Sequence, residues 1–184
     1  MFCSQFHWVR SDLGGTAVLA AFVGAILAPA PQLSAKDVRA PLVPQDIQVP
    51  EGSKVHFHGF ARGFQIYTWD GSSWGSAVPE AVLYDTEGNV VAIHYVGPTW
   101  ESNSGSKVVG AVVPPRVTVD PDAIPWLLLS AVSNEPPGIF AGITYIHRVN
   151  TVGGKAPSVP GTVVGQVARV PYTADYYFYR DASN

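Results

Sequence analysis

Two histidines stand one residue apart in the most strand-like run of the chain, KVHFHGFARGFQIYTW, residues 54–69. Residues i and i+2 of a β-strand point to the same face, so strict alternation would place His56 and His58 together, beside Arg62. Two imidazoles on one face could share a metal ion with a third ligand. The candidates for that third ligand are His94, His147 and Glu101. A neighbouring cation opposes metal binding, so Arg62 argues against this function. We therefore expect no metal site, and we expect His56 to be a solvated side chain or a simple neighbour on the strand face.

A second candidate for proton transfer is His94, at the end of a predicted strand in HYVGPTWESNSGSK, residues 94–107. An imidazole has a pKa near neutrality, which suits a general acid or base. We take His58 and His94 as the candidate catalytic residues. The competing interpretation of the second segment is a loop with a packed Trp100 and a solvated surface ion pair, which contributes little to stability.

The pentapeptide GSSWG, residues 71–75, matches the nucleophile pattern G-x-S-x-G at Ser73. That pattern requires a strand, a sharp turn and a helix. Here it lies in TWDGSSWGSAVPE, which is typical of a turn between two strands. We therefore interpret Ser73 as a turn residue.

The elements that must position these residues are predicted to be strands. Short β-branched and aromatic runs alternate with Gly, Pro, Asn and Asp, and no convincing amphipathic helix interrupts them. The runs cover residues 55–69, 81–84, 90–96, 107–113, 124–132, 139–149, 163–170 and 172–179. The run IPWLLLSAV could be a buried strand or a short helix. The sequence predicts an all-β fold, a single domain of about eight or more short antiparallel strands in a sandwich or a closed barrel.

The N-terminal segment is predicted to be a signal peptide over residues 1–35. Its apolar core, residues 17–28, is too short for a transmembrane helix of ~20 residues and is followed by small residues. Residues 36–50 are an extended, proline-rich lead-in, and residues 51–184 form the β-rich domain. We expect the mature chain to be secreted or periplasmic, without stable membrane insertion.

Composition narrows the possible functions. The 184 residues carry 11 Lys and Arg against 14 Asp and Glu, scattered singly, so nothing indicates nucleic-acid binding. The single cysteine, Cys3, lies ahead of the apolar segment and leaves the domain without a thiol nucleophile. Without a glycine-rich phosphate loop or a cysteine site, the chain is expected to need no nucleotide, flavin or iron–sulfur cofactor.

Six blocks of the sequence resemble, in order, an exported family known as domain of unknown function 3455. They are FHGFARGFQIYTW, EAVLYDTEGNVVAIHYVGPTWE, SKVVG, DAIPWLLLSAV, ITYIHRVNTVGGKAP and VPYTADYYFY. The resemblance implies an exported, single β-rich domain but no activity. The positions that match the family pattern are His58, Gln65, Tyr67, His94, Gly97, Pro98, Trp100, Trp126, Arg148, Gly153, Gly154, Tyr172 and Tyr176.

The chain departs from that family pattern at two places. Similar proteins often have cysteine where this chain has Trp69, and again at Thr162 after Gly161. The resemblance implies a disulfide there, and both half-cystines are missing from this sequence. We expect packing, by Trp69 itself, to fill that role.

These residues favour a small-molecule ligand held in an aromatic-lined pocket, which is the usual composition of such sites. The expected ligand-binding residues are Arg62, Gln65, Tyr67, Trp100, Trp126, Tyr172 and Tyr176. One alternative is a cofactor-free isomerase, lyase or cyclase that uses His58 or His94 as acid or base. Another is a structural surface protein. The ligand-binding and the catalytic hypotheses both expect His58 and His94 to face one cavity, with their rings within about 10 Å, the reach of a small ligand held by both. The oligomeric state and the identity of the ligand stay open.

Overall fold

The structure is a computed structural model that describes residues 39–182. Within this range the chain forms eight strands and one short 3-10 turn, which confirms the all-β prediction. The turn covers Gln45–Ile47, and the strands are β1 Ser53–Thr68, β2 Val78–Tyr84, β3 Val90–Tyr95, β4 Thr99–Ser102, β5 Lys107–Val117, β6 Trp126–Glu135, β7 Tyr145–Gly153 and β8 Val167–Asp181. None of the helical structure in residues 39–182 has the length and hydrophobicity to cross a membrane. The predicted signal peptide lies outside the described residues.

Each strand pairs antiparallel with the next one in sequence, and β8 returns to pair with β1. The result is a closed up-and-down barrel, so of the two predicted architectures the barrel is the one that forms. The β1–β8 ladder is the longest seam and runs from Ser53 opposite Asp181 to Thr68 opposite Val167. Closure satisfies the hydrogen-bonding edges that an open sheet would expose.

Most strand bounds shift by a few residues from the sequence-based prediction, and two differences change the number of strands. The segment taken as a loop after His94 contains β4, whose Trp100 pairs with His94 on one side and Val108 on the other. With only four residues, β4 is too short to show a period-2 pattern. The last two predicted runs form a single strand, because the ladder with β1 continues through Pro171, opposite Phe64.

The barrel interior is filled by alternate residues of each strand. On β8 the inward side chains are Tyr172, Ala174, Tyr176 and Phe178, all buried, whereas Thr173 is exposed. This alternation is the one that the sequence YTADYYFYR predicts.

Aromatic rings close one end of the barrel. The Phe178 ring centroid lies 4.8 Å from that of Phe140, in the β6–β7 connection, and 5.7 Å from those of Phe57 and Trp100. Phe140 and Phe178 are completely buried. In an up-and-down barrel, successive connections alternate between the two ends. The β1–β2, β3–β4, β5–β6 and β7–β8 connections therefore meet at the opposite end, which forms the mouth.

The lead-in segment is attached to the outer wall by a buried histidine. His147 Nε2 lies 2.6 Å from the Ile47 carbonyl oxygen, and His147 Nδ1 lies 2.8 Å from the Tyr179 hydroxyl. Since a carbonyl can only accept, Nε2 carries the proton and Nδ1 accepts from Tyr179. Burial lowers the pKa of His147, which keeps this tautomer neutral. Ile47 is fully buried as a result.

Trp69 packs where the resemblance implies a disulfide. Its ring lies directly on Gly161, so that a Cβ at that position would overlap the indole. The Trp69 ring also meets Trp74 edge-on, with centroids 5.4 Å apart. The indole of Trp74 in turn donates a hydrogen bond to the Val159 carbonyl. Packing therefore joins the end of β1 to residues 159–161, as expected.

Candidate functional site

The mouth of the barrel opens into a cavity of about 450 Å³. Its wall comes from the C-terminal ends of the odd-numbered strands, the N-terminal ends of the even-numbered ones and three of the four connections at this end. Eleven lining residues are aliphatic, proline or glycine, and the polar or aromatic ones are Gln65, Tyr67, Ser76, His94, Trp100, Arg116, Arg148 and Tyr176. The cavity therefore combines apolar and polar surface.

The inner end of the cavity is a stack of three aromatic side chains. The rings of His94 and Trp100 are parallel, 4.3 Å apart and inclined by 5°. Tyr176 meets both edge-on, at 5.2 Å from His94 and 5.3 Å from Trp100. All three are at least 97% buried. His94 and Trp100 are cross-strand neighbours on β3 and β4, and Tyr176 reaches them from β8. Their mutual packing fixes the orientation of the three rings.

His94 is neutral and has one defined tautomer. Its Nδ1 lies 2.8 Å from the Thr99 carbonyl oxygen, so Nδ1 carries the proton and donates it. The pKa of His94 is lowered to about 3. Burial is the largest cause, the Thr99 hydrogen bond opposes it, and the positive charge of Arg148 adds to it. Nε2 is therefore an unprotonated acceptor at neutral pH.

One side wall is made where β1 meets the end of β7. The Tyr67 hydroxyl donates a 2.6 Å hydrogen bond to the carbonyl oxygen of Gly154. Gly154 has φ +78°, and a Cβ there would lie 2.9 Å from Tyr172 Cβ, so only glycine fits without displacement. Burial raises the pKa of Tyr67, which keeps the hydroxyl protonated and able to donate.

Arg148 brings a positive charge into the cavity from β7. Its Nε and Nη2 donate to the Pro125 carbonyl oxygen at 3.3 and 2.8 Å, which holds the guanidinium against the β5–β6 connection. No Asp or Glu pairs with it among residues 39–182. The acidic residue types are also missing from the cavity lining, whereas Arg116 is part of it. The cavity is therefore electropositive.

One buried donor beside the cavity lacks an acceptor. Trp100 Nε1 has no hydrogen-bond partner within the described range, and the side chain is 99% buried. Burial raises the pKa of Tyr172, and a hydrogen bond from the Gln65 side chain lowers it, so the Gln65 amide acts on Tyr172. An unsatisfied buried donor costs about 1–3 kcal/mol.

The structure separates the two candidate catalytic histidines. His58 lies on the outer face of β1, where it stacks on Tyr177 with centroids 4.0 Å apart and its Nε2 is 3.9 Å from Asp175 Oδ2. It does not line the cavity that contains His94. The barrel wall stands between the two imidazoles, so the expectation that both face one cavity is wrong, for ligand binding as well as for acid–base chemistry.

A β-bulge alters the expected relation between His56 and His58. Val55 pairs with Tyr179 and Phe57 with Phe178, so His56 is the extra residue and strict alternation fails there. Among residues 39–182 no group of three or more His, Cys, Asp or Glu side chains could hold a metal.

The remaining expected site residues divide between the cavity and other places. Gln65, Tyr67, Trp100 and Tyr176 line the cavity, and Tyr172 lies just behind it, its hydroxyl 3.5 Å from that of Tyr176. Arg62 is exposed on the outer face of β1, and Trp126 is half-buried opposite Val117; neither lines the cavity. From the sequence, Arg148 was noted as a position that matches the family pattern but was not included in the expected site. It lies in the cavity because β7 pairs in register with Leu127 of β6 and Tyr176 of β8.

Ser73 lies in a tight turn, as interpreted from the sequence. Its backbone N–H and hydroxyl both donate to the Asp70 carboxylate, at 2.7 and 3.1 Å. These bonds, with the equivalent pair from Ser72, lower the pKa of Asp70. No helix follows, so the elbow that would activate a serine nucleophile is not formed.

Comparison with known proteins gives one match. A family model described as "Protein of unknown function (DUF3455)" matches residues 50–180. No curated protein and no solved structure matches the chain.

Proposed function

The chain belongs to the DUF3455 family, which is described as proteins of unknown function, and we propose that it binds a small apolar or aromatic molecule in the barrel mouth. The observation that carries this proposal is the cavity of about 450 Å³, whose lining combines apolar residues with arginines and other polar groups. Ligand pockets are commonly about 300–1,000 Å³ and are lined by apolar and aromatic residues with a few polar groups.

The character of His94 favours binding over catalysis. A general acid or base works best with a pKa near the operating pH, whereas burial holds the pKa of His94 at about 3. The ring is also stacked on Trp100 and fixed by Thr99, which suits a rigid wall. His58, the other candidate, lies outside the cavity.

The aromatic stack gives the cavity a rigid inner end. Trp100 and Tyr176 line the cavity but are only about 1% exposed, so they set its shape more than they offer contact area. Because Trp100 is fixed by His94 and Tyr176, it loses little conformational entropy when a ligand binds.

We also propose that the protein acts after export. The support is the N-terminal apolar segment, residues 17–28, with the small residues that follow it. Mass spectrometry of the protein recovered from culture medium or periplasm would test this. A mass that begins near residue 36 supports export with cleavage, and a full-length chain retained in the cytoplasm contradicts it.

The binding proposal is tested by thermal unfolding of the full chain with a panel that includes indole, 1-naphthamide and 1-naphthoate. A ligand at 100 times its Kd stabilises the native state by about 2.7 kcal/mol, which raises the melting temperature on the order of 5–10 °C for a domain of this size. Val112→Trp fills the cavity and should abolish the shift. The control is Ala111→Trp, one residue away on the exposed face of β5.

The variants locate the binding site as well as test binding. A ligand-induced rise in melting temperature that occurs in wild type and Ala111→Trp but is lost in Val112→Trp supports binding in the cavity. A rise that persists in Val112→Trp locates binding elsewhere, and no rise with any member of a broad aromatic panel contradicts the proposal.

A further inference from the structure

The polar groups of the cavity specify more than an apolar ligand. The lining holds two arginines and no carboxylate, so a bound cation would find no counter-charge there. The hydrogen bonds of Arg148 go to neutral groups, the Pro125 carbonyl and the Tyr176 hydroxyl, so a neutral hydrocarbon would leave its charge uncompensated. A ligand with a negative charge would compensate it.

Arg148 is positioned to bind a planar acceptor. Two of its N–H groups are directed to the Pro125 carbonyl, which fixes the plane of the guanidinium, and its remaining N–H groups have no acidic partner within residues 39–182. A guanidinium pairs best with a carboxylate, because two parallel N–H···O bonds match the spacing of the carboxylate oxygens. Fixing the plane by Pro125 reduces the entropy lost on binding.

We propose that the ligand is an aromatic or apolar acid, with its carboxylate bound by Arg148. This inference rests on the proposed function and adds the charge and the polar group of the ligand.

The electrostatics of the cavity agree with this geometry. The charge of Arg148 lowers the pKa of His94, Tyr67 and Tyr176, so it acts across the whole cavity. His94 stays neutral and adds no competing positive charge. Arg116, exposed at the rim, would attract an anion toward the mouth.

Matched ligands separate this inference from the proposed function. 1-Naphthoate and 1-naphthamide have nearly the same shape and apolar surface, and they differ in charge. Isothermal titration of the full chain should give a Kd at least 10-fold lower for the acid. In Arg148→Gln the preference for the acid should be lost, so that the Kd values of acid and amide differ by less than about threefold.

A second variant tests the shape of the cation. Arg148→Lys keeps the charge but lacks the planar pair of donors, so it should bind the acid with intermediate affinity. If wild type binds acid and amide equally, or if the preference for the acid persists in Arg148→Gln, the inference is wrong and the binding proposal stands. If wild type binds neither compound nor any other member of the panel, both are wrong.

Discussion

The buried imidazole of His94 makes the stability of the barrel depend on pH. In the unfolded chain His94 has the ordinary imidazole pKa of 6.5, whereas burial holds its pKa in the folded state at about 3. Between these values the unfolded state binds more protons, so stability falls as the pH drops below 6.5 and continues to fall until about pH 3. His147, whose pKa burial also lowers, contributes in the same direction.

The size of the effect follows from the two pKa values of His94. At pH 5 its contribution to the loss is RT ln(1 + 10^1.5), about 2 kcal/mol relative to pH 8. Carboxylates change this little, because those with lowered pKa, such as Asp70 and Asp85, titrate mostly below pH 5. With a urea m-value of about 2 kcal/mol/M, the midpoint should fall by about 1 M or more.

Urea unfolding at pH 8 and pH 5 measures this loss directly in wild type and His94→Gln. The variant keeps a donor for the Thr99 carbonyl but has no imidazole to titrate. Its free energy of unfolding should therefore fall by about 2 kcal/mol less than that of wild type between pH 8 and pH 5. Gln48→Asn, at an exposed position without a titratable group, is the control and should lose as much stability as wild type. An equal loss in wild type and His94→Gln would refute the reasoning, as would an NMR titration of His94 with a midpoint above pH 5.

Two further substitutions test the packing around the cavity. Gly154→Ala should destabilise the fold by about 1–3 kcal/mol, because Gly154 has φ +78° and the new Cβ would contact Tyr172. Gly165→Ala is the control, because Gly165 has a similar φ of +85° but open space around it, and it should cost less. Equal costs would show that the contact with Tyr172 is unimportant. Trp69→Ala should lower the free energy of unfolding by about 3 kcal/mol in urea titrations, since the ring is 92% buried on Gly161, and a loss below 1 kcal/mol would show that the ring does not hold this connection.

Local patterns predicted the strands and one complete face of the interior. Tyr172 to Phe178 alternate in sequence as they do in the barrel, because period-2 alternation is a property of the strand alone. The same alternation applied to β6 places Leu127 and Leu129 inside and Trp126 outside. Trp126 was included in the expected site because aromatic composition says nothing about which face a residue takes.

Other features depend on partners that are distant in sequence. The bulge at His56 arises from the register of β1 against β8, more than 120 residues away, so alternation within β1 could not show it. Arg148 enters the cavity because β7 is in register with Leu127 and Tyr176, and the signal available in sequence was one charged residue in an apolar strand. The four residues of β4 were taken as a loop for the same reason, since they form a strand through pairing on both sides.

The central claim is that an aromatic ligand binds against Trp100 in the barrel mouth, and the indole N–H signal of that residue reports on it directly. Trp100 Nε1 has no partner in the described structure, whereas Trp74 Nε1 donates to the Val159 carbonyl away from the cavity. In ¹⁵N-edited NMR spectra, with Trp100→Phe used for assignment, saturating 1-naphthoate should shift the Trp100 signal and leave the Trp74 signal in place. A Trp100 signal that does not move, with every aromatic ligand tested, would contradict the account.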